Sequence, residues 1–478
     1  MSAPLELHPD RLFPAEPSTR AIARELYAAV ADLPIISPHS HVPPEWIAED
    51  IPFTDPTSLL LTPDHYVLRL LHANGLDLAA FGRGRDTPLP EAEAREAFRL
   101  FCANWPVFRG TPMRFWFEAQ AVNIFGVKVR PSAETADQIY DTIQAWIDSP
   151  AARPRALMEQ FDIAVLATTD DPLDDLRHHS ALRAENYPRP VVPTFRPDRF
   201  LEPARPDWNE LVDELGELTG IDVDSYAGFL AALENRRAYF KERGAVSTDH
   251  SHADLGTIVL PKAEAERLYA DARDDKLSPD ECAVLRRALV TEMARMACDD
   301  GLTMTLHPAV YRNHHAETFR RFGADVGADI PISVEATRAL QPMLSAYGTH
   351  PNFKVVLFTM DETTFSRELA PLAGFYPSVY LGVPWWFLDS PDAIKRFRKS
   401  TEMAGFTRSS GFIDDTRAFC SIPARHDMSR RLDAAALSEL VAEHRLGIDE
   451  AAETLHHLVA VSPREVFRLD RPTDKESR

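Results

Sequence analysis

The sequence predicts an α/β protein: a (β/α)8 barrel of the TIM type with a helical domain inserted after the first strand and a smaller helical insertion between the third and fourth strands. Three observations predict it. Eight short β-rich runs recur along the chain, each ending in polar or charged residues. Helix-patterned stretches separate most of them, and strands alternating with helices imply a parallel sheet. Eight such units suit a closed barrel better than an open, doubly wound sheet.

The runs are Leu33–Ser37, Ile163–Thr168, Val191–Thr194, Ala245–Thr248, Leu302–Leu306, Lys354–Thr359, Val379–Leu381 and Gly411–Ile413. Ser278-Pro279-Asp280-Glu281 is a capping box with proline in the first helical turn, and it opens a long apolar-periodic stretch through Met296. Ser390-Pro391-Asp392 is expected to open another helix and Asp171-Pro172 a third. About 120 residues separate the first two runs, far beyond an ordinary βα connection. That stretch contains Trp105, Phe108, Phe115, Trp116 and Phe125. The expected division is therefore 1–43 for the N-terminal segment and first strand and 44–158 for the helical insertion. The rest of the barrel is expected over 159–469, with the smaller insertion at 200–243, and a polar tail over 470–478.

Composition narrows the function. With 45% apolar and 26% charged residues and no bilayer-length apolar run, the chain reads as a globular enzyme without a membrane span. The start, MSAPLELHPDRLF, lacks the pattern of a secretory signal, and the four scattered cysteines read as reduced thiols, so a cytoplasmic location is expected. The formal charge of −21 argues against a nucleic-acid partner. It also requires any anionic substrate to be drawn by a local cluster of arginines.

In a barrel the reactive groups follow the C-terminal ends of the strands. There the sequence places His39-Ser40-His41, Thr169-Asp170-Asp171, Arg196-Pro197-Asp198, Asp249-His250, His307 and Arg312, Asp361, Trp385-Trp386, and Asp414-Asp415-Thr416-Arg417. His39 and His41, two apart in an extended segment, face the same side and can share a cation. Asp415, after the eighth run, neighbours the first strand in a closed barrel and completes a metal set. Two imidazoles and a carboxylate suit one divalent metal per subunit, Zn2+ first, with Mn2+, Fe2+ or Co2+ as further choices. No second-metal ligands are assigned. His307 is either a fourth ligand or a substrate hydrogen-bond partner, the latter favoured. Arg417 is placed to serve substrate beside Asp415. For Arg196 and Arg312 substrate binding and an ordinary salt bridge are equally good readings, and for Trp385 and Trp386 packing competes with a role in the pocket wall.

The strings HSHVPPEWIAED at His39, DHYVLRLLHANG at Asp64, TTDDPLDDLRHH at Thr168, PTFRPDRF at Pro193, STDH at Ser247, LHPAVYRN at Leu306, WWF at Trp385 and DDTRAF at Asp414 resemble uronate isomerases of the amidohydrolase superfamily. So does the spacing of Gly323, Asp325, Gly327 and Asp329. The resemblance spans about 35–420 and implies interconversion of D-glucuronate with D-fructuronate and of D-galacturonate with D-tagaturonate, through a metal-stabilised cis-enediol. Matched position by position, it implies His39, His41 and Asp415 as metal ligands, with His65, Tyr66 and Arg417 catalytic and Arg196 binding the substrate carboxylate; a catalytic role for Asp415 as well is expected on chemical grounds. The sequence departs from the family at Trp116-Phe117-Glu118-Ala119-Gln120, where W-x-H-x-E is usual, and at Gly382-Val383-Pro384. Both departures bear on which sugar is accepted. Chemically, the expectation is that Tyr66, its proton loosened by Arg417 or the cation, handles the carbon-bound proton, Asp415 the hydroxyl protons, and His65 orients them. The alternatives are a metal-dependent hydrolase or decarboxylase on the same scaffold and a non-catalytic sugar-acid sensor. A homo-oligomer is expected, since exposed aromatics on the helical insertion would suit a subunit contact.

Overall fold

The computed structural model describes residues 4–470, so the expected polar tail lies, beyond Asp470, outside the described residues. Ten strands form in the order β1 (Ile35–Ser37), β2 (Ile163–Ala167), β3 (Val191–Val192), β4 (Thr194–Phe195), β5 (Ser247–His250), β6 (Thr303–Leu306), β7 (Val310–Tyr311), β8 (Ile330–Pro331), β9 (Val355–Leu357) and β10 (Val379–Leu381). Two all-parallel sheets carry the fold: β1-β2-β3, and β10-β9-β6-β5-β4. Pro193, which has no N–H to donate, divides β3 from β4. Pairing resumes beyond it, with Asp170 N–H on the Thr194 carbonyl and Arg196 N–H on the Asp170 carbonyl, both at 3.0 Å. β7 and β8 form a small antiparallel pair beside the main sheets.

The main strands are short and almost wholly buried on both faces, as parallel strands flanked by helices must be. Seven of the eight expected runs contain strands. The eighth, Gly411–Ile413, does not form a ladder. Gly411 takes φ +76°, outside the extended region, and a β-carbon there would come within 2.7 Å of Pro463. The preceding residues make only a single bridge, Ser409 to Leu381, and a hydrogen bond from Ser410 N–H to the Leu381 carbonyl. The other flank of this segment reaches β1's extension, with Asp415 N–H on the His39 carbonyl and His41 N–H on the Thr416 carbonyl.

Between β1 and β2 the chain is helical, at Pro44–Ala48, Pro56–Leu60, His65–Ala73, Glu91–Ala103, Pro112–Asn123, Ala136–Ile147 and Pro154–Gln160. Between β4 and β5 lie helices Trp208–Thr219 and Tyr226–Glu242. Trp105, Phe108, Trp116 and Phe125 are buried: Trp105 and Phe108 pack with each other and with Phe101, Trp105 also meets Phe117, Trp116 lies edge-on to Tyr66 and Phe125 against Trp146, while Phe115 is half-buried. These aromatics are therefore covered within the chain, in a core shared with β1 and β2, and the support they lent to a homo-oligomer falls away. The Ser278 capping box forms as expected and its helix runs on to Asp300, where Gly301 in the left-handed region ends it. Ser390 precedes helix Pro391–Ser400 as expected. Asp171-Pro172, in contrast, opens no helix. The Asp171 carboxylate accepts from Leu173 N–H in a local turn, a competing use of aspartate, and the helix begins only at Arg177. All four cysteines are buried and unpaired. No helix among the described residues is long and apolar enough to cross a membrane.

Gly411→Ala is expected to lower the thermal midpoint. Forcing an L side chain into the left-handed region costs on the order of 1–2 kcal/mol, before the clash with Pro463 is counted. A melt that matches the parent's would contradict this account of the segment.

Candidate active site

A cavity of about 510 Å3 opens where the ends of the parallel strands meet the first helices of the insertion. His39 and His41 follow β1, and Asp415 approaches from the far end of the chain. The Asp415 Oδ1 lies 3.3 Å from His39 Nε2 and 3.0 Å from His41 Nε2. Burial works to raise the Asp415 carboxyl, but the two imidazoles overcome it and hold the group well below the usual carboxylate range. Edges of 3.0–3.3 Å match the roughly 3.3 Å between ligands in a tetrahedron with bonds of about 2.0–2.1 Å. The Nδ1 atom of His39 is buried without a partner. This donor set fits a divalent cation of the zinc class.

Asp249, at the end of β5, was not assigned a role from sequence, although its place at the end of a strand was the available signal. Its Oδ1 meets His307 Nδ1 at 2.7 Å and its Oδ2 meets Arg196 Nη1 at 3.2 Å and His39 Nε2 at 4.0 Å. His39, Asp249 and His307 thus form a second trio of metal-type donors sharing His39. His307 stacks on both His39 and Phe358, its Nε2 buried without a partner. Arg196 is held through Nε by Asp198 at 2.9 Å and through Nη1 by Asp249. Burial works against its charge, but the two carboxylates keep it firmly protonated.

The opposite wall comes from the helices between β1 and β2. Asp64 caps helix His65–Ala73, accepting from Tyr66 and Val67 N–H, and this cap aims His65 and Tyr66 into the cavity. Their rings stack at 4.7 Å, with Trp386 against His65 and Trp116 edge-on to Tyr66. Burial, with the Arg417 charge second, pushes His65 down to about 3, so its imidazole is neutral. Burial pushes the Tyr66 phenol up, and the Arg425 guanidinium opposes it only in part. Among the chain's own groups burial outweighs the guanidinium, so a Tyr66 phenolate requires the bound cation as well. Arg425 itself, unforeseen from sequence, lies 3.8 Å over Trp116 and pairs with the buried Asp389 at 2.6 Å.

Arg417 pairs with Asp325 at 2.7 Å. Burial would raise the Asp325 carboxyl, but Arg417 brings it to about 2. Arg312 bonds Asp329 and Ser251, each at 3.1 Å, and lies 4.7 Å over Trp386. Every residue expected to serve the site therefore lines one cavity, together with Asp249, Asp325, Asp329 and Arg425. Six arginines line it (Arg196, Arg199, Arg205, Arg312, Arg417 and Arg425) among eight carboxylates, so an anion would meet individual guanidinium forks and not a net positive field. Asp415, Trp386 and Asp325 each take a positive φ, a concentration of backbone strain usual where function dictates side-chain aim. The departures from the family strings sit behind the wall. Glu118 pairs with Arg114 and Gln120 bonds the Trp116 carbonyl, and neither residue lines the cavity.

The sequence profile of a family described as glucuronate isomerase matches residues 18–461. The chain belongs to the glucuronate isomerase family. It is 56% identical over 472 residues to a uronate isomerase of Cutibacterium acnes, covering 98% of this chain and 100% of that relative. The structure matches the crystal structure of a glucuronate isomerase from Caulobacter crescentus with TM-score 0.96 at 44% identity over 98% of each chain. It matches that of a uronate isomerase from Thermotoga maritima with TM-score 0.90 at 27% identity, covering 97% of this chain and 99% of that one. As a member of this glucuronate isomerase family, the chain is similar to these relatives across nearly its whole length.

Because the folded-state Asp325 carboxyl lies below its ordinary value of 3.8, its stabilising effect is present above that value and is lost as pH falls toward 2. Asp325→Asn should therefore melt below the parent at about pH 5 and converge with it as the solution is acidified toward about pH 2. A gap that stays constant across that range would contradict the Arg417 pairing.

Proposed function

We propose that this enzyme is an aldose–ketose isomerase of hexuronates, converting D-glucuronate to D-fructuronate and D-galacturonate to D-tagaturonate. The observation that carries the reading is the convergence of His39, His41 and Asp415 with six arginines on one cavity of sugar size, in a chain of this family. The family match favours isomerisation over hydrolysis or decarboxylation, and the complete donor set argues against a mere sensor.

His39, His41 and Asp415 would hold one divalent cation, zinc by donor type, and the chemistry it supplies when bound is Lewis-acid polarisation of the sugar oxygens. The remaining work belongs to the chain. Arg196 presents a guanidinium already oriented by Asp198 and Asp249, ready to pair with the substrate carboxylate, and Arg312 flanks it across the cavity. Asp415, kept ionised, accepts a hydroxyl proton. Tyr66 takes the C2 proton as its phenolate and returns it to C1, the hydroxyl proton held by Asp415 passes to O1, and the neutral His65 stacked on Tyr66 fixes its position. Arg417 adds positive charge where oxyanion character grows. His307, oriented by Asp249, hydrogen-bonds the sugar, and Trp385 and Trp386 form the wall that excludes water.

The proposed scaffold is a closed eight-membered barrel with 44–158 as its helical lid domain and 200–243 as a smaller insertion. The continuity of β3 into β4 across Pro193 and the backbone bonds on both sides of the 409–416 segment support that reading. A cytoplasmic location is proposed with it.

Incubation with a panel of hexuronates should yield the corresponding ketoses from D-glucuronate and D-galacturonate. Absence of ketose from every hexuronate would overturn the assignment. Arg196→Met should raise KM for uronates and erase the preference over neutral aldoses, a loss on the order of 2–5 kcal/mol for a buried charge pair; unchanged KM would reassign the carboxylate site. Tyr66→Phe should lower kcat by about 10²–10⁴-fold, and near-parental turnover would remove Tyr66 from proton transfer.

A further inference from the structure

A separate cluster of metal-type donors lies behind Arg196. Asp198, His250 and His252 each offer one ligand atom, and these atoms all lie within 4.8 Å of one another. Neither histidine belongs to the set around Asp415. Both are almost fully buried, at 1% and 7% exposure. Each ring has one nitrogen hydrogen-bonded and the other without a hydrogen bond. His250 Nε2 meets the Thr248 hydroxyl at 3.1 Å, and its Nδ1 has none. His252 Nδ1 meets the Glu202 carboxylate at 2.7 Å, and its Nε2 has no hydrogen bond but lies 3.6 Å from Asp198 Oδ1.

A buried imidazole nitrogen without a partner is costly to leave so. A carboxylate or hydroxyl behind the opposite nitrogen is also the arrangement that fixes a ring's tautomer and turns its lone pair toward a metal. Asp198 is anchored in turn, by Arg196 Nε at 2.9 Å and by Ser251 N–H at 3.0 Å. The negative charges of Asp198 and Glu202 offset a dication among neighbours that include Arg196 and Arg286. The 3.6 Å edge is close to the roughly 3.3 Å of a tetrahedral site, so a small inward shift would complete it.

We propose that Asp198, His250 and His252 form a second divalent-cation site, of the zinc or cobalt class by its two nitrogens and one oxygen. Its place is structural. Through Asp198 it braces the loop that carries Arg196, and it does not depend on the assignment of the first site.

The test uses the full-length protein, stripped with a chelator and titrated with Co2+ alone, with bound metal counted after gel filtration and its visible absorption recorded. Two equivalents are expected for the parent. The His39→Asn/His41→Asn double variant should retain one, and His250→Asn and Asp198→Asn should each fall to one. Should those two misfold, the double variant still decides, because metal retained by it must lie outside the first site. A double variant that binds none, or a parent whose second equivalent persists in both His250→Asn and Asp198→Asn, would overturn the proposal. In that case His252 serves only as an ion-pair partner of Glu202.

Discussion

Ser40 and Thr416 are 376 positions apart, yet the hydroxyl of one bonds the carbonyl of the other. On either side, His41 donates its N–H to Thr416 and Asp415 donates its N–H to His39. Joining such distant segments costs conformational entropy that local contacts cannot offset. Burial of the cores built by the strands and the insertion makes the junction affordable. The junction then brings an ionised carboxylate to within 3.3 Å of two imidazole nitrogens, those of the buried His39 and the half-buried His41. Such a group of charges is tolerable away from water only if it is mutually paired or shared with a cation.

The rest of the site follows from the same constraint. Each arginine at the cavity with an assigned pairing meets a carboxylate: Arg196 with Asp198 and Asp249, Arg312 with Asp329, Arg417 with Asp325, Arg425 with Asp389. An acidic protein thereby keeps fixed cations facing a cavity for an anionic sugar, each held in place before substrate arrives. That preorganisation, not the overall field, is what a uronate would meet.

Much of this was readable in the chain because strand ends and metal donors coincide. His39-x-His41 and Asp415 follow their β-rich runs directly, and seven runs contain strands. The Ser278 box announced its helix because its two reciprocal bonds are local. What escaped depends on distant partners. Gly411 turns out of the extended region against Pro463, a contact no local pattern encodes. Asp171 turns its carboxylate to Arg199, 28 positions away, as well as to a local turn, instead of capping a helix. Asp249 and Arg425 gain their roles from residues tens or hundreds of positions away, and the direction of the Tyr66 shift is set by burial that the triplet Asp64-His65-Tyr66 does not reveal.

The most direct measurement of the central claim is ketose formation from D-glucuronate by chelator-stripped protein as Zn2+ is restored. The account predicts negligible turnover without metal, recovery on adding it, and no recovery in Asp415→Asn at any zinc concentration. Full activity in the stripped parent, or in Asp415→Asn, would contradict it.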